Sequence, residues 1–338
     1  MSSASTIPYQ LRPHKAIERN LFISILKKLD RSSKIDLHEY RYVGFGAPFL
    51  EDFKLLHLEF GIVDMDCIEY NYFAFSRQKF NNPYYFVNLH NTSSTEYITE
   101  IGFNQKKNQI IWWDFAEPAE FRQQLLDIEL TAERVWNLDI LKFTFNAQTS
   151  SFISSHNLKF ESVELNKIIR FLKDDPTYQL YLPDKVTSKD IIDDFSALLR
   201  AMAMRAVKRG LSKRTIKVDF NHISSFRYAD RQVMTTMTGM ICETDEFKKI
   251  LKESGLEKWE FYQTESLKEL IIANEISVPA MTVIERIEID KKIPSSDFIK
   301  LAKELKFFYG ENDEENLNLL KGYCKYYKYL PYYSKVTY

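Results

Sequence analysis

The sequence predicts an α/β protein whose parallel sheet ends in an antiparallel pair of strands. Between residues 36 and 146, apolar strand-like segments alternate with helical segments roughly every 25 residues, a pattern typical of right-handed crossovers in a sheet covered on both faces. After a helical insertion, two further strand-like segments, 214–222 and 232–242, are joined by a short connection that includes FRYADR. So short a connection forces these two strands to pair antiparallel.

The composition excludes several classes of protein. The chain has 338 residues, 45% of them hydrophobic, and 46 basic residues nearly balance 47 acidic ones. A chain so apolar and so nearly neutral is not intrinsically disordered and has no global attraction for nucleic acid. It contains no run of about 18 apolar residues, and its N-terminus lacks the apolar core of a signal peptide, so we expect a cytoplasmic protein without a membrane segment. The three cysteines are far apart, which argues against a disulfide framework or a metal site.

The first 245 residues divide into an N-terminal segment and the sheet domain. Residues 1–35 are expected to hold one helix, over about 13–30, that begins at Pro13. Residues 36–245 are expected to form the sheet domain. Its predicted strands cover 40–43, 63–70, 84–90, 108–115 and 138–146, and its predicted helices cover 50–61, 94–103 and 118–132, with 71–82 as a helix or a loop.

Two regions depart from this alternation. Residues 150–210 form a helical insertion, in which a long helix from Ser188 to Arg209 is expected to stop at Gly210. Residues 246–338 form a C-terminal extension, whose last sixteen residues contain seven tyrosines. Tyrosine covers a large area and keeps a polar tip, so this end indicates a packing surface or a homo-oligomer interface.

The most informative motif is the turn Gly44-Phe45-Gly46-Ala47, between the first predicted strand and the first helix of the sheet domain. Glycine permits a tight turn and lets a ligand approach the backbone, and the following helix directs its N–H groups at the polar end of that ligand. A purely structural turn is the alternative. The dinucleotide pattern G-x-G-x-x-G is excluded, because Phe49 occupies the place of the third glycine.

Three polar residues at predicted strand ends would share a site with this turn. Glu69 ends the second strand, 23 residues after Gly46, where nucleotide-binding sheets place an acid that accepts hydrogen bonds from ribose hydroxyls. Asn88 ends the third strand, and Asp114 is the acid in the apolar run IIWWDF of the fourth. Because the carboxyl ends of neighbouring parallel strands meet in one crevice, the sequence predicts a single site. The alternatives are a solvated strand end for Glu69 and a helix cap for Asp114.

Several segments of the chain carry a family resemblance: PYQLRPHKAIERNLF, YRYVGFGAPFLEDFKLLHLEFGI, DCIEYN, IIWWDF, FRYADRQVMTTMTG and SVPAMTVIER. Together they resemble the bacterial family known as putative O-methyltransferases. The resemblance implies a Rossmann-like, seven-stranded methyltransferase sheet with an antiparallel terminal hairpin. It also implies S-adenosylmethionine as the cofactor and methyl transfer as the reaction.

The resemblance further implies a role for each residue of the crevice. The implied cofactor site consists of Gly44, Phe45, Gly46 and Ala47 beside the methionine part, Glu69 at the ribose, and Tyr70 and Asn88 at the adenine. Asp114 would lie beside the methionine or the acceptor. Transfer to a hydroxyl requires a base, and Asp114 and His90 are the candidates.

Departures from the usual methyltransferase pattern support a second hypothesis. Tyr42 takes the place of the usual acid before the turn, and Pro48 takes that of the usual third glycine. The Asn/Asp-Pro-Pro-aromatic motif of amino-methyltransferases is missing, because Asp114 is followed by Phe-Ala-Glu-Pro. The alternative to an active enzyme is a catalytically degenerate protein of the same fold that binds or senses a ligand, for instance in a bacterial defence operon.

The N-terminal helix offers candidates for acceptor binding. Arg12, Lys15 and Arg19 recur at three- and four-residue spacing, so one helix face carries three positive charges. This face would clamp a phosphate or carboxylate of a small-molecule acceptor. The alternatives are a solvated helix face or, with the lysines and tyrosines of the tail, a contact to nucleic acid.

Overall fold

In the computed structural model, the described residues are 11–103, 106–158, 165–184, 186–263, 272–294, 297–305 and 307–331. Three features of the sequence lie wholly or partly outside this range. They are the first ten residues, the beginning of the insertion helix at 159–164, and the tail residues Tyr332, Tyr333 and Tyr338.

The strands are β1 Arg41–Phe45, β2 Asp64–Ile68, β3 Val87–His90, β4 Gln109–Phe115, β5 Ile140–Asn146, β6 Asp219–Asp230, β7 Gln232–Cys242 and β8 Asn274–Ile276. They form one sheet in the order β3-β2-β1-β4-β5-β7-β6-β8. Strands β1 to β5 are parallel, which confirms the α/β class. The predicted number of seven strands is wrong for the described chain, because the short segment β8 of the C-terminal extension pairs with β6.

Strands β6 and β7 pair antiparallel along their length. They are joined at Arg231, whose φ of +63° lies in the left-handed region and allows a very tight turn. Strand β6 is longer than the sequence predicts, and its pairing register shifts between His222 and Ser224. Asn146, the last residue of β5, pairs with Met234 near the start of β7. The tip of the β6–β7 hairpin therefore lies at the sheet edge where β5 ends.

The helices are α1 Pro13–Leu29, α2 Glu51–Phe60, α3 Tyr72–Asn81, α4 Ser94–Glu96, α5 Phe121–Arg134, α6 Thr149–Ser155, α7 Leu165–Asp174, α8 Pro176–Gln179, α9 Ser188–Ser212, α10 Thr244–Ser254, α11 Val283–Asp290, α12 Phe298–Glu304 and α13 Asp313–Tyr326. Residues of α5, α7 and α9 share one core with one face of the sheet. Residues of α1, α2 and α10 share a second core with the opposite face. The fold therefore has the three layers that two-sided parallel sheets require.

Two consecutive tryptophans of β4 illustrate the layering. Successive side chains of a strand point to opposite faces. Trp113 lies in the core of α5 and donates from Nε1 to Thr131 Oγ1 at 3.0 Å. Trp112 lies in the core of α1, where its ring centroid is 5.2 Å from that of Phe22.

Helix α9 ends later than the sequence predicts. It continues through Gly210 to Ser212, so the expectation that Gly210 stops it is wrong. A Cβ atom at Gly210 would lie 2.2 Å from the carbonyl oxygen of Glu129 and 2.7 Å from Cβ of Ala132, both on α5. Glycine is present because the backbones of α5 and α9 approach closely there, not because the chain turns.

Gly210→Ala is expected to lower the free energy of unfolding by roughly 1–3 kcal/mol, because the added methyl group forces two packed helices apart. This loss outweighs the gain of about 1 kcal/mol that alanine brings to a helix interior. Urea unfolding followed by circular dichroism measures the change. Lys208→Ala, at an exposed position of the same helix, serves as the control and is expected to stay within about 0.5 kcal/mol of wild type. A Gly210→Ala protein as stable as wild type would contradict the close approach.

The C-terminal extension packs on the sheet layers as well as on itself. Tyr326 is buried, donates a hydrogen bond to the carbonyl oxygen of Glu275 at 2.8 Å and stacks on Phe261 with ring centroids 5.3 Å apart. Tyr323 is also buried, in a small separate core of the extension. These two tyrosines therefore form a packing surface within the chain, and the oligomer interface expected here stays a prediction. Among the described helices, none is long and apolar enough to span a membrane.

Candidate functional site

The parallel strands bring most of the predicted site residues to one edge of the sheet. Phe45, at the end of β1, pairs with Ile68, the residue before Glu69. On the other side of β1, Gly44 pairs with Trp112, two residues before Asp114. The turn after β1 and the ends of β2 and β4 are therefore neighbours, as the crevice rule for open α/β sheets requires.

The turn after β1 is held in a strained conformation. Ala47 has φ +43° and Leu50 has φ +51°, values that cost a non-glycine residue on the order of 1 kcal/mol each. The amide of Leu50 donates to the carbonyl oxygen of Gly46 at 2.9 Å. Side chains of α3 fix the turn from outside, because Gln78 donates to the carbonyl oxygen of Ala47 at 3.1 Å and Asn81 to that of Pro48 at 2.9 Å.

The two glycines of the turn are required by the protein's own packing. A Cβ atom on Gly44 would lie 2.6 Å from the hydroxyl oxygen of Tyr42. A Cβ atom on Gly46 would lie 2.6 Å from Sγ of Cys67. Tyr42, which replaces the usual acid of the motif, is fully buried and fills the space beside Gly44. The close approach of a ligand to these glycines stays a prediction.

Glu69 stands at the end of β2 with its carboxylate partly exposed. Its Oε1 accepts a hydrogen bond from the amide of Asn71 at 2.8 Å, and partial burial raises the pKa of Glu69 above its ordinary value. Asn71 in turn accepts from the first amides of α3 and caps that helix. The adjacent Tyr70 is 73% exposed, so its ring is accessible to a ligand.

Asn88 lies within β3, two residues before the strand ends, and its amide donates to Asp66 Oδ1 at 3.1 Å. An adenine contact from Asn88 stays a prediction.

Asn91, which follows β3 directly, was not identified from the sequence. Its Nδ2 donates to the carbonyl oxygens of Glu69 at 2.7 Å and Tyr70 at 3.2 Å. Asn91 therefore holds the backbone at the end of β2 in place.

His90 belongs to a polar cluster around the fully buried Asp66. His90 Nε2 lies 3.4 Å from Asp66 Oδ2, and the hydroxyl of Tyr97 donates to the same oxygen at 2.5 Å. Arg41 forms an ion pair with this carboxylate as well. Burial by itself would raise the pKa of Asp66, but the hydrogen bonds from His90, Tyr97 and Asn88 and the charge of Arg41 outweigh it and lower that pKa. Asp66 is therefore a buried anion that orients the His90 ring.

The positive face of α1 is not a solvated helix face. Arg19 is 3% exposed and binds Asp52 with two hydrogen bonds, Nε to Oδ1 at 2.8 Å and a second guanidinium nitrogen to Oδ2 at 3.1 Å. The same guanidinium donates to Asp114 Oδ2 at 3.3 Å, and Lys15 Nζ lies 3.7 Å from that oxygen. The Arg19 guanidinium also lies over the Trp112 ring, 4.8 Å from its centroid. Arg12, the residue before the first turn of α1, is partly exposed.

Asp114 has a different local role from the helix cap considered above. The turn that precedes α5 begins after Glu117, whereas the Asp114 carboxylate faces α1. Burial alone would raise the pKa of Asp114, but the charges of Lys15 and Arg19 outweigh it and lower that pKa. Desolvation lowers the pKa of Lys15 in turn. A carboxylate so stabilised is a weak base, so the geometry favours Asp114 as an anchor for the two cations.

A second ion pair between α1 and the sheet was missed in the sequence. Lys142 of β5 and Glu18 of α1 are both fully buried, and their charged groups are 2.5 Å apart. Lys142 Nζ lies 4.2 Å from the ring centroid of Phe22 and 4.0 Å from that of Trp112. A lysine within the apolar strand LDILKFTFN was the available signal, since lysine is almost never fully buried without a partner.

The described residues hold no group of three or more His, Cys, Asp or Glu side chains that is close enough to bind a metal ion. The charged side chains form two clusters on opposite faces of the sheet. One surrounds Asp66 and His90 on the side of Tyr97, and the other surrounds Arg19 and Asp114 on the side of α1.

A family model described as "Putative O-methyltransferase" matches residues 7–338, which is nearly the whole chain. No curated protein matches the sequence.

Solved structures with similarity to this chain include several methyltransferases. The N-methyltransferase NodS from Bradyrhizobium japonicum WM9 is 10% identical, with a TM-score of 0.36 over 67% of this chain and 96% of that one. The O-methyltransferase TomG from Streptomyces achromogenes, solved with SAM, is 11% identical, with a TM-score of 0.35 over 66% and 80%. The fibrillarin pre-rRNA processing protein of Methanococcus jannaschii is 10% identical, with a TM-score of 0.35 over 62% and 70%.

Proposed function

Because the chain belongs to the family described as putative O-methyltransferases, we propose that it transfers a methyl group from S-adenosylmethionine to an acceptor bound at the carboxyl edge of the sheet. The observation that carries the proposal is the position of Glu69. It ends β2 beside the strained turn after β1 and keeps a partly exposed carboxylate. A ribose diol needs an acceptor group of this kind.

The residues at this edge fit such a cofactor. Glu69 Oε1 is engaged by Asn71, while Oε2 has no hydrogen-bond partner among the residues that the structure describes. The backbone of Gly46 and Ala47 would line the methionine part, and the exposed ring of Tyr70 would pack on the adenine. The bound cofactor supplies an electrophilic methyl group. The protein contributes by holding the acceptor in line with that methyl group. Such positioning of two reactants accounts for a large share of the rate enhancement in enzymes that join two substrates.

The acceptor would be held from the side of α1. Lys15 lies next to Asp114, the buried Arg19 binds the same carboxylate, and the charge of Arg12 acts on Lys15. Positive groups at this position suit a phosphate or carboxylate on a small acceptor. Of the two candidate bases, His90 is favoured over Asp114, because Asp66 orients its partly exposed ring while Lys15 and Arg19 stabilise the anion of Asp114.

Glu69→Gln is expected to weaken the binding of S-adenosylmethionine at least about 10-fold, because the amide has no negative charge and its one acceptor oxygen must serve both the amide of Asn71 and the ribose. Isothermal titration calorimetry on the full chain at pH 7.5 measures the affinity. For the wild type, affinity should also fall as the pH is lowered through the pKa of Glu69, which partial burial places above the ordinary glutamate value. Glu100→Gln, at an exposed helical position, is the matched control and should bind like wild type.

Two results would overturn the proposal. One is a wild-type protein that gives no binding heat with S-adenosylmethionine up to about 1 mM, the upper end of ordinary enzyme affinities. The other is a Glu69→Gln protein that binds as tightly as wild type.

A further inference from the structure

The outer side of α3 exposes large aromatic side chains next to the candidate site. Phe73 and Phe80 are seven residues apart, so they lie on the same face of the helix about 10 Å from each other. Arg77 lies between them on that face. The exposed rings of this surface, with their exposed fractions, are Tyr72 67%, Phe73 70%, Phe80 91% and Tyr85 99%.

The composition of this surface is that of a protein interface. No Asp or Glu occurs between Glu69 and Glu96, although the chain as a whole has 47 acidic residues. Interface cores are enriched in tyrosine, phenylalanine and arginine and depleted of acidic residues. Exposed apolar patches of more than a few hundred Å² are rare on monomeric proteins and mark interaction sites.

The area matches what a stable dimer needs. An aromatic side chain presents on the order of 200 Å², so the four rings together expose roughly 650 Å². This lies within the range of about 600–1,000 Å² that each partner contributes to a standard protein–protein interface. The surface carries few charges: Arg77 and Lys79 are its cations, and Lys79 Nζ lies 4.6 Å from the ring centroid of its neighbour Phe75. A polyanion such as nucleic acid is bound through many phosphate contacts, which this surface cannot supply.

We propose that this surface, defined by Tyr72, Phe73, Phe80 and Tyr85, is the interface with a second copy of the chain. In a two-fold dimer the same patch meets itself, and uncharged rings are compatible with such self-association. Strand β3, which begins two residues after Tyr85, forms one edge of the sheet. Natural proteins cover such edges, because unpaired strand edges promote aggregation. The dimer places the interface beside Glu69, at the border of the candidate site.

The test compares the mass of the full-length protein with that of a disrupted variant. Sedimentation equilibrium between about 1 and 50 μM should give twice the chain mass of 40.0 kDa for wild type. The double substitution Phe73→Glu and Phe80→Glu places charges at two highly exposed helix positions. It should raise the dimer dissociation constant at least about 100-fold, as loss of central interface residues does. Circular dichroism checks that α3 is intact.

Two further variants make the outcome decisive. Leu58→Glu changes an equally exposed apolar residue on the preceding helix α2 and should leave the dimer unchanged. Tyr85→Glu, outside any helix, should weaken the dimer without affecting α3. A wild-type protein that is monomeric at 50 μM, or a dimer that persists in both the double variant and Tyr85→Glu, would overturn the proposal. Binding of a single-stranded oligonucleotide that the double variant abolishes, without any dimer, would reassign this surface to nucleic acid.

Discussion

Lys142→Met is expected to lower the free energy of unfolding by about 3–5 kcal/mol, the cost of leaving one partner of a buried ion pair uncompensated. Methionine nearly matches the length and volume of lysine, so packing against Phe22 and Trp112 is kept while the charge is lost. The carboxylate of Glu18, which is 1% exposed, then loses the cation that it binds directly and keeps only the charge of Arg19 in its vicinity. The loss of stability is large because water cannot reach and solvate the Glu18 carboxylate.

A double-substitution cycle isolates this effect. Buried ion pairs can often be replaced by apolar residues of similar volume at little cost in stability. Lys142→Met combined with Glu18→Met should therefore recover most of the stability that Lys142→Met loses. Lys248→Met, which removes the exposed pair with Asp245 on α10, should leave the urea midpoint unchanged. If Lys142→Met unfolds at the wild-type urea concentration, the Lys142–Glu18 pair does not hold α1 on the sheet.

Arg19→Met is expected to destabilise the protein by a similar amount, about 3–5 kcal/mol at pH 7, because it leaves two carboxylates without their shared cation. Asp52 loses both of its hydrogen bonds to Arg19, and Asp114 keeps Lys15 at 3.7 Å and the charge of Lys142. The substitution also releases α1 from the border of the candidate site. Acceptor binding should therefore suffer along with stability.

The pH dependence gives this prediction a distinct signature. In the wild type, the fold lowers the pKa of Asp114. Ionised Asp114 therefore stabilises the folded protein at any pH above the unfolded-state pKa near 4, and this stabilisation is lost as the pH falls through the folded-state pKa. Without Arg19, one of the charges that lower the pKa of Asp114 is lost, so the folded pKa moves back toward the unfolded value. The deficit of Arg19→Met should thus be constant from pH 7 down to about 4 and shrink as the pH falls further. Urea unfolding across this range measures it, with Arg227→Met, which breaks a more exposed pair with Glu275, as control. A deficit that does not shrink at the lower pH values would contradict the network.

The order of strands and helices could be predicted because it depends on local periodicity. The apolar run IIWWDF reads as a buried strand, and the structure places its successive side chains on opposite faces of the sheet. The turn after β1 and the acid at the end of β2 could be located together, because parallel strands align their carboxyl ends. Strand β8 could not be predicted, since three residues show no periodicity and their pairing depends on β6.

The partners of individual residues were harder to predict. Gly210 has the position of a helix stop in the sequence, yet the structure uses it where α5 crosses α9. Arg19 is one of three regularly spaced cations in the sequence, yet in the fold its neighbours are carboxylates 33 and 95 residues away. Asn88 and Asn91 are close in sequence, but the first binds a buried aspartate while the second holds the backbone beside Glu69.

The sequence by itself determined the α/β class, the proximity of the turn after β1 to the ends of β2 and β4, and the family to which the chain belongs. Each of these depends on a pattern of neighbouring residues: the alternation of segments, the turn after β1, and the motifs that surround it. The tertiary structure alone decided which charges meet. Lys142 and Glu18 are 124 residues apart, and their pairing is stable because packing α1 on the sheet excludes water from both groups. Burial and electrostatic pairing are properties of the assembled fold, and they determine here which polar residues stabilise the protein and which remain accessible to a ligand.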